Sequence, residues 1–259
     1  MFNSYILCES IFISLTCISL YFLTRLYKRK ISFLEKILGI LILGLTIFTK
    51  PTGIALLGAL VFSLSYFGFK NHSNTKLKWL FGFIGLILIL ALANQMVSTF
   101  GFIENYKIGE LIYGVTQYSN IPYYDLLIID RPENMILPNN DQLPLVQMLC
   151  FIYHQPVYWL KLFFGKLFLF FGHVRPFWSF WHNMFSILFL VPIYVYFIRG
   201  IFNSNHSKGL KISALIYIVF HALSVCMMSV DWDGRFLLPV LPILFILSSR
   251  SVLSSKDGK

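Results

Sequence analysis

Asp231-Trp232-Asp233-Gly234-Arg235 sets two carboxylates and a guanidinium in one short stretch, and Lys50 sits in Thr49-Lys50-Pro51-Thr52-Gly53 between two apolar runs. Cations so placed suit an anion, because charge-assisted hydrogen bonds gain strength where water is scarce. Lys50 and Arg235 are therefore the leading anion-binding candidates. Two other readings stay open: Lys50 can snorkel outward, and Arg235 can pair with Asp231 or Asp233. Asp231 and Asp233 alone are too few to hold a divalent ion, so no metal site is expected. Glu9 is a third acid with two readings, a group within the same cavity or a partner for a neighbouring helix. Lys161, Lys166 and Arg175 are candidates to contact the phosphates of lipid head groups. The histidines at 72, 154, 173, 182, 206 and 221 lack metal-ligand spacing, and the cysteines at 8, 17, 150 and 226 show no paired spacing.

These residues are carried on a very apolar chain. Of 259 residues 57% are hydrophobic and 12% charged, with 27 phenylalanines. The mean hydropathy is +0.72. A water-soluble enzyme cannot cover so much apolar surface with so few charges, and a disordered chain would not be so apolar. The formal net charge of +10 comes from cations concentrated between apolar runs, which reads as membrane topology and not as a nucleic-acid footprint. Walker, GxSxG and Rossmann glycine patterns are absent, so no nucleotide mechanism and no cofactor is expected.

Apolar segments at 5–24, 37–49, 52–69, 79–97, 182–198, 211–230 and 235–249 predict an all-α, polytopic transmembrane bundle of about seven spans. The loops 25–36, 70–78 and 199–211 and the tail 250–259 hold 14 of the 21 cations, with only Glu35 and Asp257 as acids. The remaining stretches hold 7 cations and 9 acids. The positive-inside rule then places the first set in the cytoplasm, with the N-terminus external and the C-terminus cytoplasmic, in the cell inner (plasma) membrane. Membrane lipids are the expected surroundings.

The run 37–69 is read as two short helices broken at Thr49-Lys50-Pro51-Thr52-Gly53, since a single crossing would put two basic loops on opposite faces. Segment 156–172 is apolar but contains Lys161 and Lys166, and is laid along the outer interface with both lysines snorkelling. A short core helix with exposed lysines is the other reading. The cluster Phe177-Trp178-Ser179-Phe180-Trp181-His182 matches an interfacial aromatic belt, or alternatively a stacking surface for a sugar. The organisation expected is transmembrane helices in 1–97, an external loop over 98–155, an interfacial segment over 156–181, and transmembrane helices with a cytoplasmic tail over 182–259. Within the loop, turns are expected at Asp130-Arg131-Pro132-Glu133-Asn134 and Pro138-Asn139-Asn140-Asp141, and helix over 106–118 and 142–155.

The order of Glu9-Ser10-Ile11-Phe12, then Thr49-Lys50-Pro51-Thr52-Gly53, then Gln155-Pro156-Val157-Tyr158-Trp159-Leu160-Lys161, and finally Asp231-Trp232-Asp233-Gly234-Arg235-Phe236-Leu237-Leu238-Pro239 resembles the C-terminal two-thirds of a bacterial GT-C glycosyltransferase. The nearest group is the superfamily of protein O-mannosyltransferases and lipid A aminoarabinose transferases. The resemblance implies transfer of a sugar from a polyprenyl-phosphate carrier to an external acceptor, with Lys50 and Arg235 on the carrier phosphate. It also implies a catalytic carboxylate in a region ahead of the Glu9 element. That region is not in this sequence, so the chain is expected to reflect a fragment, a split gene or a late start codon and to be inactive alone, with a separately encoded N-terminal half as a candidate partner. Two other classes remain: a transporter or flippase of lipid-linked substrates, and a non-catalytic membrane subunit.

Overall fold

The computed structural model describes residues 2–26, 31–71, 73–118, 120, 123–203 and 206–254. Lys28, Arg29 and Lys30 of the first basic loop, His72 of the second, and Lys256, Asp257 and Lys259 of the tail lie outside them. Among the described residues, ten helices run in the order α1 (Phe2–Leu26), α2 (Phe33–Thr49), α3 (Ile54–Asn71), α4 (Thr75–Thr99), α5 (Phe102–Ile108), α6 (Pro144–His154), α7 (Pro156–Gly172), α8 (Phe180–Asn203), α9 (Lys208–Met227) and α10 (Leu241–Ser254). No β-strand occurs among the described residues, in keeping with the all-α class read from the sequence.

Among the described residues, five stretches are long and apolar enough to cross a membrane: Cys8–Leu26, Pro51–Lys70, Thr75–Thr99, Phe180–Phe202 and Lys208–Met227. Outward-facing apolar side chains such as Trp79, Phe83 and Leu86 on α4 and Phe185, Leu188 and Phe189 on α8 suit lipid and not water. This is the pattern of a helical membrane protein. Two of the seven expected spans are shorter than that. α2 has 17 residues and α10 has 14, so they reach only about 26 and 21 Å against a hydrocarbon core of roughly 30 Å. The expected span at 235–249 also does not start at Arg235. A 3-10 turn occupies Arg235–Leu237 and α10 begins at Leu241, because Pro239 and Pro242 interrupt the helical hydrogen-bond ladder.

Two units divide the chain. The first comprises Met1–Leu92, Ile193–His221 and Leu238–Lys259, the second Ala93–Pro192 and Ala222–Leu237.

In the first unit α1, α2 and α3 pack on one another. α2 starts earlier than its apolar run because Ser32 and Glu35 form a capping box: the Ser32 Oγ accepts from the Glu35 N–H at 3.2 Å, and Glu35 Oε2 from the Ser32 N–H at 2.8 Å. The expected break at Lys50 is present. Lys50 is extended, with φ −153° and ψ 135°, since a residue preceding proline is kept out of the helical region. The carbonyls around this break find donors in side chains. Thr46 Oγ1 donates to Ile42 O and Thr49 Oγ1 to Leu45 O, each at 2.7 Å, and the Cys8 thiol donates to Thr49 O at 3.7 Å. Such compensation matters where no water is at hand. The Lys50 ammonium then donates to Glu9 Oε1 at 2.6 Å, joining the break to α1.

In the second unit the stretch expected as an external loop is tied down by backbone pairing. Leu111 N donates to Leu127 O and Val230 N to Leu111 O, both at 3.0 Å, while Tyr113 N donates to Val230 O at 2.9 Å. Helix over 142–155 is observed as α6, and Asp141 N donates to Asn139 Oδ1 in the turn before it. The helix expected over 106–118 stops at Ile108, where Gly109 takes φ +87°. α7 buries Tyr158, Leu162, Lys166, Leu169 and Phe170 along one stripe and exposes Val157, Leu160, Phe164 and Phe168.

The Glu9–Lys50 pair, with both side chains 16% exposed, yields a prediction. Glu9→Gln alone lowers stability in detergent by on the order of 2 kcal/mol, because it strands the ammonium. Glu9→Gln combined with Lys50→Met recovers most of that loss in thermal unfolding followed by tryptophan fluorescence. Equal losses in the single and double variants would refute the coupling.

Candidate functional site

The residues singled out from the sequence fall into separate groups. Lys50 and Glu9 pair within the first unit. Arg175, Asp231, Asp233 and Arg235 come together in the second, where Lys161 and Lys166 also lie.

Arg175 is fully buried and so does not reach lipid head groups as expected. Its Nη1 donates to Leu169 O at 2.7 Å and Val174 O at 3.1 Å, and its Nη2 to Asp231 O at 3.0 Å. Its main chain is clamped by Asn183, whose Oδ1 accepts from Arg175 N at 3.0 Å and whose Nδ2 donates to Arg175 O at 2.8 Å. Burial pulls its pKa down, while Asp231 and Asp233 pull the other way.

One carboxylate oxygen of Asp231 accepts the Arg235 N–H, and the other is buried without a hydrogen-bond partner among the described residues. The Arg235 guanidinium lies 3.5 Å from Asp233 and 3.8 Å from Asp231, the pairing held open in the sequence. It remains 42% exposed and Asp233 69%, so both can meet a ligand. Gly234, at φ +71°, lets the loop turn where a Cβ would run into the His173 ring. His173 itself takes a left-handed φ of 49°. Its pKa is lowered, first by burial and then by Arg175.

Aromatic rings border these charges. Phe177 and Trp232 lie 5.2 Å apart between centroids, Tyr118 and Trp232 5.9 Å, and Trp178 and His182 4.1 Å. Trp178 also receives the Arg175 guanidinium at 5.6 Å from its ring centre. The Trp232 indole N–H donates to Tyr113 O at 2.9 Å, which fixes the ring's tilt. Phe177 and Trp178, first read as members of a membrane belt, are thus joined to the Asp231–Arg235 loop. The arrangement offers exposed carboxylate and guanidinium groups beside flat apolar faces.

The chain matches no protein-family model, no curated protein and no solved structure. Among the described residues no three His, Cys, Asp or Glu side chains gather as a metal-ligand group.

A second feature of this unit gives Lys166 surroundings that the sequence did not suggest. Lys166, expected to snorkel, is fully buried. Its Nζ has no hydrogen-bond partner among the described residues and sits 4.0 Å above the centre of the Tyr106 ring. The Tyr106 hydroxyl donates to Cys226 O, and the Tyr158 hydroxyl to Tyr106 O, each at 2.8 Å. Burial raises the pKa of both phenols, that of Tyr158 to about 12. Glu110, also buried, uses its carboxylate on the Gly114 and Thr116 N–H groups at 2.9 and 2.8 Å and on the Thr116 hydroxyl. Burial lowers the Lys166 pKa to about 7, against upward pulls from Cys226 and Glu110.

Lys161 borders a different opening, a cavity of about 370 Å³ lined also by Asp130, Arg131, His154, Gln155 and Tyr158. Two cations, Arg131 and Lys161, against one carboxylate make it suited to an anion.

The sign of the Lys166 shift dictates a pH dependence. Between about pH 7 and its ordinary value of 10.5 the unfolded amine is protonated and the folded one is not. Stability therefore rises with pH across that window, by on the order of 1 kcal/mol per unit for one proton. Lys166→Met removes this slope and leaves the fold intact, as followed by urea unfolding in detergent from pH 7 to 10. An unchanged slope would show that the amine stays charged inside the unit.

Proposed function

We propose that this chain binds the donor in an integral-membrane sugar transfer of the GT-C kind, holding the head group of a polyprenyl-phosphate sugar in its second unit. The observation that carries the reading is the Arg175–Asp231–Asp233–Arg235 cluster flanked by Phe177, Trp178 and Trp232. Saccharides present hydroxyls to carboxylates and guanidinium groups at their edges, and C–H faces to aromatic rings. In this reading Trp232 and Phe177 bear the sugar face, Asp233 accepts from its hydroxyls, and Arg235 meets the carrier phosphate. Arg175 positions the loop. Lys50 takes no part, because Glu9 already holds its ammonium.

The orientation proposed has the N-terminus external and the C-terminus cytoplasmic in an inner membrane, supported by the charge asymmetry of the loops. The hydrocarbon tail of the carrier then runs in the bilayer that the apolar helices require.

The test is binding of a synthetic fluorescent polyprenyl-phosphate hexose to the full chain in nanodiscs. Trp232→Ala and Asp233→Asn each weaken binding about tenfold, equivalent to about 1.4 kcal/mol, and affect sugar-free polyprenyl phosphate far less. Binding that neither substitution alters, or no binding by the unmodified chain, overturns the proposal.

A further inference from the structure

The first unit contains a cleft of about 360 Å³ lined by Phe22, Leu23 and Leu26 of α1, Gly39 and Leu43 of α2, and Leu64 of α3, with Ile31, Glu35 and Lys36 at one end. Its walls are almost wholly hydrocarbon. At the far end lies Ser19, whose hydroxyl is within 3.2 Å of the Thr46 hydroxyl. A cleft with so few polar partners does not order water.

Its length fits one lipid tail within one leaflet. From Glu35 to Leu43 the lining runs along α2 for about 12 Å, at 1.5 Å per residue. Half of a hydrocarbon core of roughly 30 Å is about 15 Å.

The charged end distinguishes among lipids. Glu35 is engaged on both sides, by the Arg25 guanidinium at 3.0 Å and the Ser32 N–H at 2.8 Å, and its pKa is lowered, first by that backbone hydrogen bond. Arg25 therefore offsets its charge. Lys36 is exposed and makes no ion pair among the described residues. A greasy slot with a net positive mouth is complementary to an anionic amphiphile.

We infer that this cleft between α1, α2 and α3 is a binding site for one acyl chain of an anionic phospholipid, with Lys36 at the head group. Inside a bilayer the tail gains little by entering the cleft, because bulk lipid is equally apolar. Selection therefore comes from the head group, and preference for anionic over zwitterionic lipid is the property to measure. The site lies within the first unit and shares no residue with the sugar site proposed above, so the two proposals fail independently.

The experiment places the full chain in phosphatidylcholine nanodiscs with trace phosphatidylglycerol or phosphatidylcholine carrying a photoactivatable group on one acyl chain. Labelled residues are located by peptide mass spectrometry. The phosphatidylglycerol probe labels the α1 and α2 lining about fivefold more than the phosphatidylcholine probe, the ratio expected from one lysine near an anionic head group. Both probes label the outward face of α4 equally, which serves as the internal reference. Lys36→Glu abolishes the preference. Gly39→Leu blocks labelling of the cleft by both probes, since even a Cβ there meets the Phe22 ring at 3.2 Å. Leu64→Phe, which fills the cleft from α3, gives the same loss should Gly39→Leu fail to fold. Equal labelling of the cleft by both probes, or a preference that survives Lys36→Glu, overturns the inference.

Discussion

The guanidinium of Arg175 is the joint on which the second unit turns. Planar and always ready to donate, it satisfies carbonyls at the end of α7, in its own segment and in the Asp231 loop, while its face rests on Trp178. Removing it would take a side-chain donor from three carbonyls and loosen the loop bearing Asp233 and Arg235. A lysine could not replace it, because one ammonium lacks the forked geometry that serves two directions at once. The polar loop is held by the Arg175 hydrogen bond to Asp231 O and the Asp231 hydrogen bond from the Arg235 N–H.

Charge pairing governs the first unit in the same way, with a different outcome for function. The interrupted helix at Lys50 is a place where a ligand could have been held, yet Glu9 occupies it. An ammonium between a carboxylate and the Phe12 ring is a structural brace. Arg235 differs in exposure, with 42% of its side chain accessible against 16% for Lys50.

Much of this was legible in the sequence. Long apolar runs gave α1, α3, α4, α8 and α9, and Pro51 gave the break after Lys50. α2 began earlier than its apolar run because the capping box at Ser32 and Glu35 extends it. The sequence pattern Tyr158, Leu162, Lys166, Leu169 carries the helical period that buries Lys166, but the charge on the lysine outweighed that period in the reading. The pairing of 109–113 with 127–129 and with Val230 was not legible, because these segments are far apart in the chain and lack strand-length runs. The partnership of Arg175 with Asp231, 56 residues away, was hidden for the same reason. The fold class is a local property of composition, whereas the site depends on long-range contacts.

The shortness of α2 bears on the bilayer itself. A helix of 17 residues falls about 4 Å short of a typical hydrocarbon thickness if it crosses. Lipids beside it must compress, or neighbouring helices must shield its ends, at a cost that grows with each ångström of mismatch. A protein carrying such a helix is better accommodated in thinner membranes, so its steadiness depends on acyl-chain length as well as on its own contacts.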